Sequence, residues 1–246
     1  MIPSPSPIRK GASRPIEFYG EGIPYLKDTE VRGRLIVLEG PDGSGRSTQV
    51  DSIVSKLEAD GHAVLNTGLR RSELIKEGIL EAKQKLPVGK RTLALFYAAD
   101  FVDQLEHKII PALEAGQIVV ADRYIFTLMA RSTVRGMSLK WSQDLFGFAV
   151  KADLVFYLDV NPNELFHRAF QKNPSLDYYE SGTDMRLSDD FFSSFILYQM
   201  KMADEFTVLM KKYGLIKIDG NRPIPVVNAD LEDRIDQYLE SIHQGA

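Results

Sequence analysis

Three times along this 246-residue chain a helical stretch closes on a glycine and a short β-branched run follows almost at once. "STQVDSIVSKLEADG" (47–61) carries Val50, Ile53, Val54 and Leu57 on one helical stripe, ends at Gly61 and gives way to "AVLNT". "IIPALEAG" runs through Gly116 into "QIVVADRY", and "EFTVLMKKYG" through Gly214 into "LIKIDG". Glycine is the residue that most readily takes the left-handed conformation that ends a helix, so each joint reads as helix, cap, strand. Two further apolar runs, "RLIVLEG" (34–40) and "DLVFYLDV" (153–160), have the length and β-branching of buried strands. Strands that alternate with helices pair in parallel, because each crossover lays a helix on one face of the sheet. The expected fold is therefore a doubly wound, three-layer α/β/α domain on a parallel sheet of about five strands.

The turn after the first of these strands is "EGPDGSGRST" (39–48). It follows the pattern G-x-x-x-x-G-K-[ST], except that Arg46 stands where lysine is expected. In an open α/β sheet ligands gather at the carboxyl ends of the strands, and this turn lies there. Gly40, Gly43 and Gly45 let backbone N–H groups converge on an anion, with Asp42 and Ser44 between them, and the following helix adds its positive N-terminal end. The expected phosphate-binding set is thus Gly40, Asp42, Gly43, Ser44, Gly45, Arg46, Ser47 and Thr48, of the P-loop NTPase type, with ATP as cofactor. Ser47 is placed to ligate Mg²⁺ through its hydroxyl, and Asp122, at a strand end, is the second candidate ligand. A bare glycine-rich turn is the competing reading. Arginine is a bulkier, planar, permanently charged fork, so Arg46 is expected to preserve phosphate binding while putting the transfer rate in doubt.

Composition narrows the class. Apolar residues make up 44% and charged residues 26%, and the formal net charge is −4, which argues against a protein that coats nucleic acid or anionic membrane. Cysteine is absent, which excludes disulfides and thiolate metal sites. The four histidines have no metal-ligand spacing. The longest apolar runs, such as "LALFYAA" (93–99), fit buried segments rather than membrane spans, and "MIPSPSPIRK" lacks the apolar core of a signal peptide, so the expected setting is cytoplasmic. Residues 1–32 hold five of the twelve prolines and no sustained periodicity. They read as an N-terminal arm, with a solvated tail as the plain expectation and "IEFYGEGIPYL" (16–26) as a stretch able to dock on the domain's own surface. Residues 33–246 read as one P-loop nucleotide-binding domain, with a polar flap at about 169–188.

Four motifs, in this order and spacing, resemble the thymidylate kinase family of P-loop nucleoside-monophosphate kinases: "LEGPDGSGRSTQ", "LFYAAD" (95–100), "ADRY" (121–124), and "DLVFYLDV" followed by "NELFHRAF". The resemblance runs from about Arg34 to about Leu239. It implies transfer of the γ-phosphoryl group of ATP to a nucleoside monophosphate, dTMP first among them, with Mg²⁺, in a protein that is commonly a homodimer and has neither a nucleic-acid polymer nor a membrane as partner. It places Asp42 near the acceptor sugar, the helix of residues 95–100 over the acceptor base, where Tyr97 offers a stacking surface, and Arg168 at the basic position leading to the lid. Arg123 reads as a ligand of the acceptor phosphate, and Arg46, Asp42, Arg123 and Arg168 as the catalytic set. Taken alone, "DRY" would equally suit a salt-bridged strand end. Lys172 and Arg186 are further cations that the flap could bring in.

The acceptor side departs from the family pattern. Phe101 stands where an arginine usually reads the thymine edge, "RST" (131–133) replaces Tyr-Gln-Gly, and "TGLRRSEL" (67–74) replaces Thr-Arg-Glu-Pro-Gly-Gly. The acceptor set is then Asp42, Arg70, Arg71, Tyr97, Phe101, Arg123 and Arg131. Two other readings stay open: a kinase of a different phosphorylated acceptor on the same scaffold, and a nucleotide-binding paralogue without turnover. "SDDFFSSFILYQMKMADEF" (188–206) is expected to be a helix capped by Ser188, its aromatics Phe191, Phe192, Phe195 and Tyr198 serving as core or as a subunit interface.

Overall fold

The computed structural model describes residues 13–85, 88–172, 179 and 182–244. In chain order the main elements are β1 (Arg14–Pro15), β2 (Glu30–Val31), β3 (Arg34–Glu39), α1 (Arg46–Ala59), β4 (Val64–Gly68), α2 (Lys76–Lys85) and α3 (Lys90–Gln104). A π-helical turn (Leu105–Ile109) joins α3 to α4 (Ile110–Glu114), followed by β5 (Ile118–Asp122), α5 (Ile125–Val134) and α6 (Leu139–Leu145). β6 (Leu154–Asp159), α7 (Pro162–Lys172), α8 (Phe191–Tyr213), β7 (Ile216–Asp219) and α9 (Ile224–Gln244) complete the domain.

The five strands β4-β5-β3-β6-β7 form one parallel sheet, as the alternation of strands and helices implies. The central strand β3 is buried along its whole length and divides its side chains between two cores. Leu35 and Val37 join one cluster with residues of α3, α5 and α8, while Ile36 and Leu38 join Val50, Ile53 and Leu57 of α1 and Val227, Leu231 and Ile235 of α9. The period-2 alternation of a strand thus gives each face its own helical layer. The glycines at the three helix-to-strand joints, Gly61, Gly116 and Gly214, all have φ between 72 and 89°.

The helix expected to be capped by Ser188 starts later. Asp190 is the N-cap of α8, its carboxylate accepting from the Ser193 N–H at 2.8 Å. Phe195 and Tyr198 are buried as core, whereas Phe191, Phe192 and Leu197 remain exposed.

Residues 1–12 of the arm lie outside the described residues, but 13–31 are packed against the domain rather than solvated. β1 and β2 pair antiparallel, Arg14 holds Asp153 through two contacts of 2.8 Å, and Phe18 bridges Val150. The Tyr19 N–H donates to Ala149 O and the Gly20 N–H to Gly147 O, each at 2.9 Å. Ile16, Ile23 and Val31 enter the larger core cluster, and the Tyr19 ring meets Phe126 and Tyr213 edge-on. Proline content suggests solvation; the apolar residues between the prolines decide otherwise.

Candidate active site

The site is built at the carboxyl ends of β3, β4 and β5. The loop 40–45 leaves β3 and turns into α1 through Gly43 (φ 82°) and Gly45 (φ 85°), a path that residues with a Cβ rarely follow. Arg46, the first residue of α1, is only 8% exposed. Its Nε donates to Asp122 Oδ1, and its Nη1 donates to Gly40 O and, at 3.2 Å, to Pro41 O. The Ser47 hydroxyl donates to the other carboxylate oxygen, Asp122 Oδ2, at 3.0 Å. Burial, and then the charge of Arg123, draw the Arg46 pKa below the ordinary arginine value, while Asp122 and Asp42 oppose them. Burial alone would raise the Asp122 carboxyl, but the Arg46 charge and hydrogen bond outweigh it and hold its pKa below the usual carboxylate value.

The "DRY" turn follows β5. Arg123 adopts φ 72°, donates its N–H to Leu38 O at 2.9 Å, and sends Nη2 to Asp42 Oδ1 at 2.6 Å. Arg131, two turns into α5, reaches Asp42 Oδ2 at 3.5 Å. What fixes this turn is a residue that the sequence reading passed over. Glu39 is fully buried at the end of β3 and accepts from the N–H groups of Tyr124 (2.9 Å) and Thr127 (3.1 Å) and from the Thr127 hydroxyl. Burial pushes its pKa up against those hydrogen bonds. An acid ending an otherwise apolar strand was the signal available.

The third wall is the loop after β4. Arg70 has φ 62°, an unfavourable conformation for a residue with a Cβ, and Asp100 holds it there. Asp100 is completely buried on α3 and accepts from the Arg70 N–H at 2.7 Å, the Ser72 N–H at 2.9 Å and Gln104 Nε2 at 2.9 Å. Lys108, on the π-helical turn, donates to Arg71 O at 2.8 Å, and Arg71 donates to Asn66 Oδ1 at 2.8 Å. Asp100 therefore braces the loop that carries the two arginines from behind, a role invisible to motif spacing because its partners across the fold are the backbone N–H groups of Arg70 and Ser72.

These walls enclose a cavity of about 260 Å³ lined by Arg46, Arg70, Arg71, Arg123 and Arg131, with Asp42, Asp122, Ser47 and Tyr97. Five arginines against two aspartates leave a formal charge of +3, which suits a polyanion. Past Tyr97 and Arg131 lies a smaller, mainly apolar pocket lined by Leu93, Leu128, Met137, Phe146 and Tyr179. Beside it, the Arg135 guanidinium holds Asp184 through two contacts of 2.8 Å, donates to Tyr179 O and lies 5.3 Å above the Tyr198 ring.

Two expected site residues lie elsewhere. Phe101 is buried behind the site, edge-on to Tyr124 at 4.8 Å and tilted against Phe148, so its ring packs the core and lines none of the described cavities. Arg168 pairs with Glu164 at 2.7 Å and reaches Gly220 O at 3.2 Å, away from the arginine cavity. Arg186 borders a separate surface hollow with Ser188 and Asp189, and the Lys172 side chain lies outside the described residues. Thr48 is exposed on α1, and the Ser44 hydroxyl is buried without a hydrogen bond among the described residues.

Comparison with known proteins agrees with this arrangement. A sequence model of the family described as "Thymidylate kinase" matches residues 38–230. A "Probable thymidylate kinase 2" of Saccharolobus solfataricus is 33% identical over 212 residues, 86% of this chain and 99% of that protein. A "Probable thymidylate kinase" of Thermococcus gammatolerans is 34% identical over 222 residues, 85% of this chain and 99% of its own. A "Thymidylate kinase" of Legionella pneumophila is 30% identical over 222 residues, covering 86% and 98%. The family match spans most of the chain and these relatives align with it almost end to end, so the chain belongs to the thymidylate kinase family.

Proposed function

We propose that the protein transfers the γ-phosphoryl group of ATP to a nucleoside monophosphate, dTMP being the acceptor that its relatives' names favour. The observation that carries this is the cavity of five arginines between the phosphate loop and Tyr97. Phosphoryl transfer asks for alignment and charge neutralisation rather than covalent help. The bond from the γ-phosphorus to its bridging oxygen breaks, a bond to an oxygen of the acceptor phosphate forms, and ADP leaves. The attacking oxygen is already anionic near pH 7, since the second phosphate pKa is about 6, so no general base is needed. Arg70, Arg71, Arg123 and Arg131 hold the acceptor phosphate; Asp42 orients the last two; Tyr97 offers its ring to the base. The loop 40–48 holds the donor phosphates.

The Ser47 hydroxyl and the Asp122 carboxylate, 3.0 Å apart, are hard oxygen donors of the kind Mg²⁺ takes, and they would hold it beside the loop. When bound, Mg²⁺ supplies charge neutralisation on the donor phosphates. One observation favours a second reading, a kinase for a different monophosphate: with Phe101 in the core, the pocket beyond Tyr97 is walled mainly by aliphatic and aromatic side chains. A cytoplasmic homodimer belongs to the same proposal. The exposed Leu80 and Leu95 on α2 and α3 support a contact face, and no helix among the described residues is long and apolar enough to cross a membrane.

The test is ADP release from Mg·ATP with dTMP, with other nucleoside monophosphates, and with no acceptor. Acceptor-dependent turnover highest with dTMP is expected. Faster turnover with another monophosphate would replace dTMP, and silence across the panel in protein that binds ATP would refute the kinase reading.

A further inference from the structure

The arginine at the loop's lysine position is disposed in a way that a lysine cannot copy. Its Nε is bound to Asp122, its Nη1 to the carbonyls of Gly40 and Pro41, and Nη2 makes no hydrogen bond among the described residues although the side chain lines the arginine cavity. The guanidinium is a rigid fork, so contacts made by Nε and Nη1 fix where Nη2 points. A lysine ammonium gathers its three donors on one nitrogen at the end of a flexible stem. It can serve the loop carbonyls and a phosphate, or reach Asp122, but it has no second nitrogen with which to hold the carboxylate at the same time.

We propose that Arg46 is a bridging residue rather than a weakened lysine: it braces the phosphate loop, positions the Asp122 carboxylate next to Ser47, and presents Nη2 to a donor phosphate without leaving either contact. The proposal rests on the kinase reading for the identity of its ligand. Two observations carry it. Ser47 and Arg46 take opposite oxygens of Asp122, so the carboxylate is held from both sides. Arg46 is also largely buried, so swinging away would take its guanidinium off the Asp122 carboxylate and leave the Gly40 and Pro41 carbonyls without their donor, a costly step. Arg46 therefore stays in place when nucleotide binds. The departure from the G-x-x-x-x-G-K-[ST] pattern then has a meaning: arginine serves at this position because the same side chain holds the strand-end aspartate.

Two measurements test this, neither of which needs turnover. The first is titration of a non-hydrolysable ATP analogue against wild type, Arg46→Lys, Asp122→Asn and the double variant, with melting temperatures recorded alongside. Bridging predicts that Arg46→Lys weakens binding roughly ten-fold or more and that the two substitutions are strongly non-additive, because both cut the same contact. Binding as tight as wild type in Arg46→Lys, or plain additivity, would overturn the proposal. The second uses nitrogen NMR on protein labelled at the arginine Nε, the Arg46 signal being assigned by its loss on substitution with glutamine. The carboxylate-bound Nε–H should keep its shifted, slowly exchanging resonance when the analogue is added. Movement of that resonance to the position of a solvated guanidinium would show that Arg46 swings to the phosphate, and bridging would be wrong even if Arg46→Lys failed to fold. If ATP-analogue binding follows the bridging pattern while every monophosphate acceptor is silent, the kinase reading fails and the bridge stands.

Discussion

Asp42 and Asp122 line the arginine cavity while Asp100 lies buried behind it, and their environments give the three carboxylates different work. Asp100 is buried among backbone N–H groups and touches none of the expected phosphate positions itself; it acts through Arg70 and Arg71. Asp100→Ala should let Arg70 relax from φ 62° and withdraw the loop. The expected result is an acceptor KM raised roughly ten-fold with the ATP KM nearly unchanged, since only the acceptor wall moves. An equal rise in both would assign Asp100 to general folding. Asp122 makes a pH prediction. Its pKa is lowered in the folded state by Arg46 and Ser47 against the opposing effect of burial. A depressed carboxyl stabilises the fold above its unfolded pKa, about 3.9, and that stability is lost as pH falls through the folded value. Melting temperature should therefore drop on acidification below about pH 4, and Asp122→Asn should flatten that limb. A limb as steep in the variant as in wild type would locate the acid sensitivity elsewhere.

At the scale of elements, the parts legible in the sequence are those whose signal is local. The strands β3, β5, β6 and β7 coincide with β-branched runs, and the phosphate loop is announced by its glycines. The wall of the arginine cavity is half legible. Arg70, Arg71, Arg123, Arg131 and Tyr97 all reach the cavity, but Phe101 does not, because helical phase turns its ring toward Tyr124 and Phe148. Asp100, its neighbour, stands in a motif that does not announce its role, since its long-range partners are the Arg70 and Ser72 main-chain groups. Glu39 was hidden for the same reason. The tie between α5 and the flap is likewise a tertiary feature. Arg135 and Asp184 lie 49 positions apart, and their side chains are 5% and 9% exposed. Removing one partner of such a pair leaves the other charge buried, at a cost of about 3–5 kcal/mol. Arg135→Ala should lower stability by about that much. It should also free Tyr179 from the mouth of the apolar pocket, so that limited proteolysis cuts the flap faster. Unchanged flap cleavage with lowered stability would mean that Arg135 serves α5 and Tyr198 alone.

For the whole molecule, the question is why a domain whose family match begins at residue 38 carries an ordered strap ahead of it. The strap crosses the segment 147–153, away from the phosphate loop, and supplies Ile16, Ile23 and Val31 to the larger core cluster. That cluster also contains Tyr97, Tyr124 and Phe146, so the packing beneath the strap is continuous with the wall of the apolar pocket. Fully burying an aliphatic side chain of this size contributes about 1.5–3 kcal/mol, so three of them amount to several kcal/mol against a typical total of 5–15. Removal of residues 1–31 would also leave Asp153 without Arg14, though Arg34 and Tyr238 still face it. The truncated chain is therefore expected to fold, because the sheet and both helical layers are intact, but to melt many degrees lower in calorimetry. Its acceptor KM should rise more than its ATP KM, since Phe146 lies at the pocket and the phosphate loop is braced separately through Asp122. A truncated protein with wild-type melting and wild-type acceptor KM would show that the strap merely rests on a core that is already complete without it.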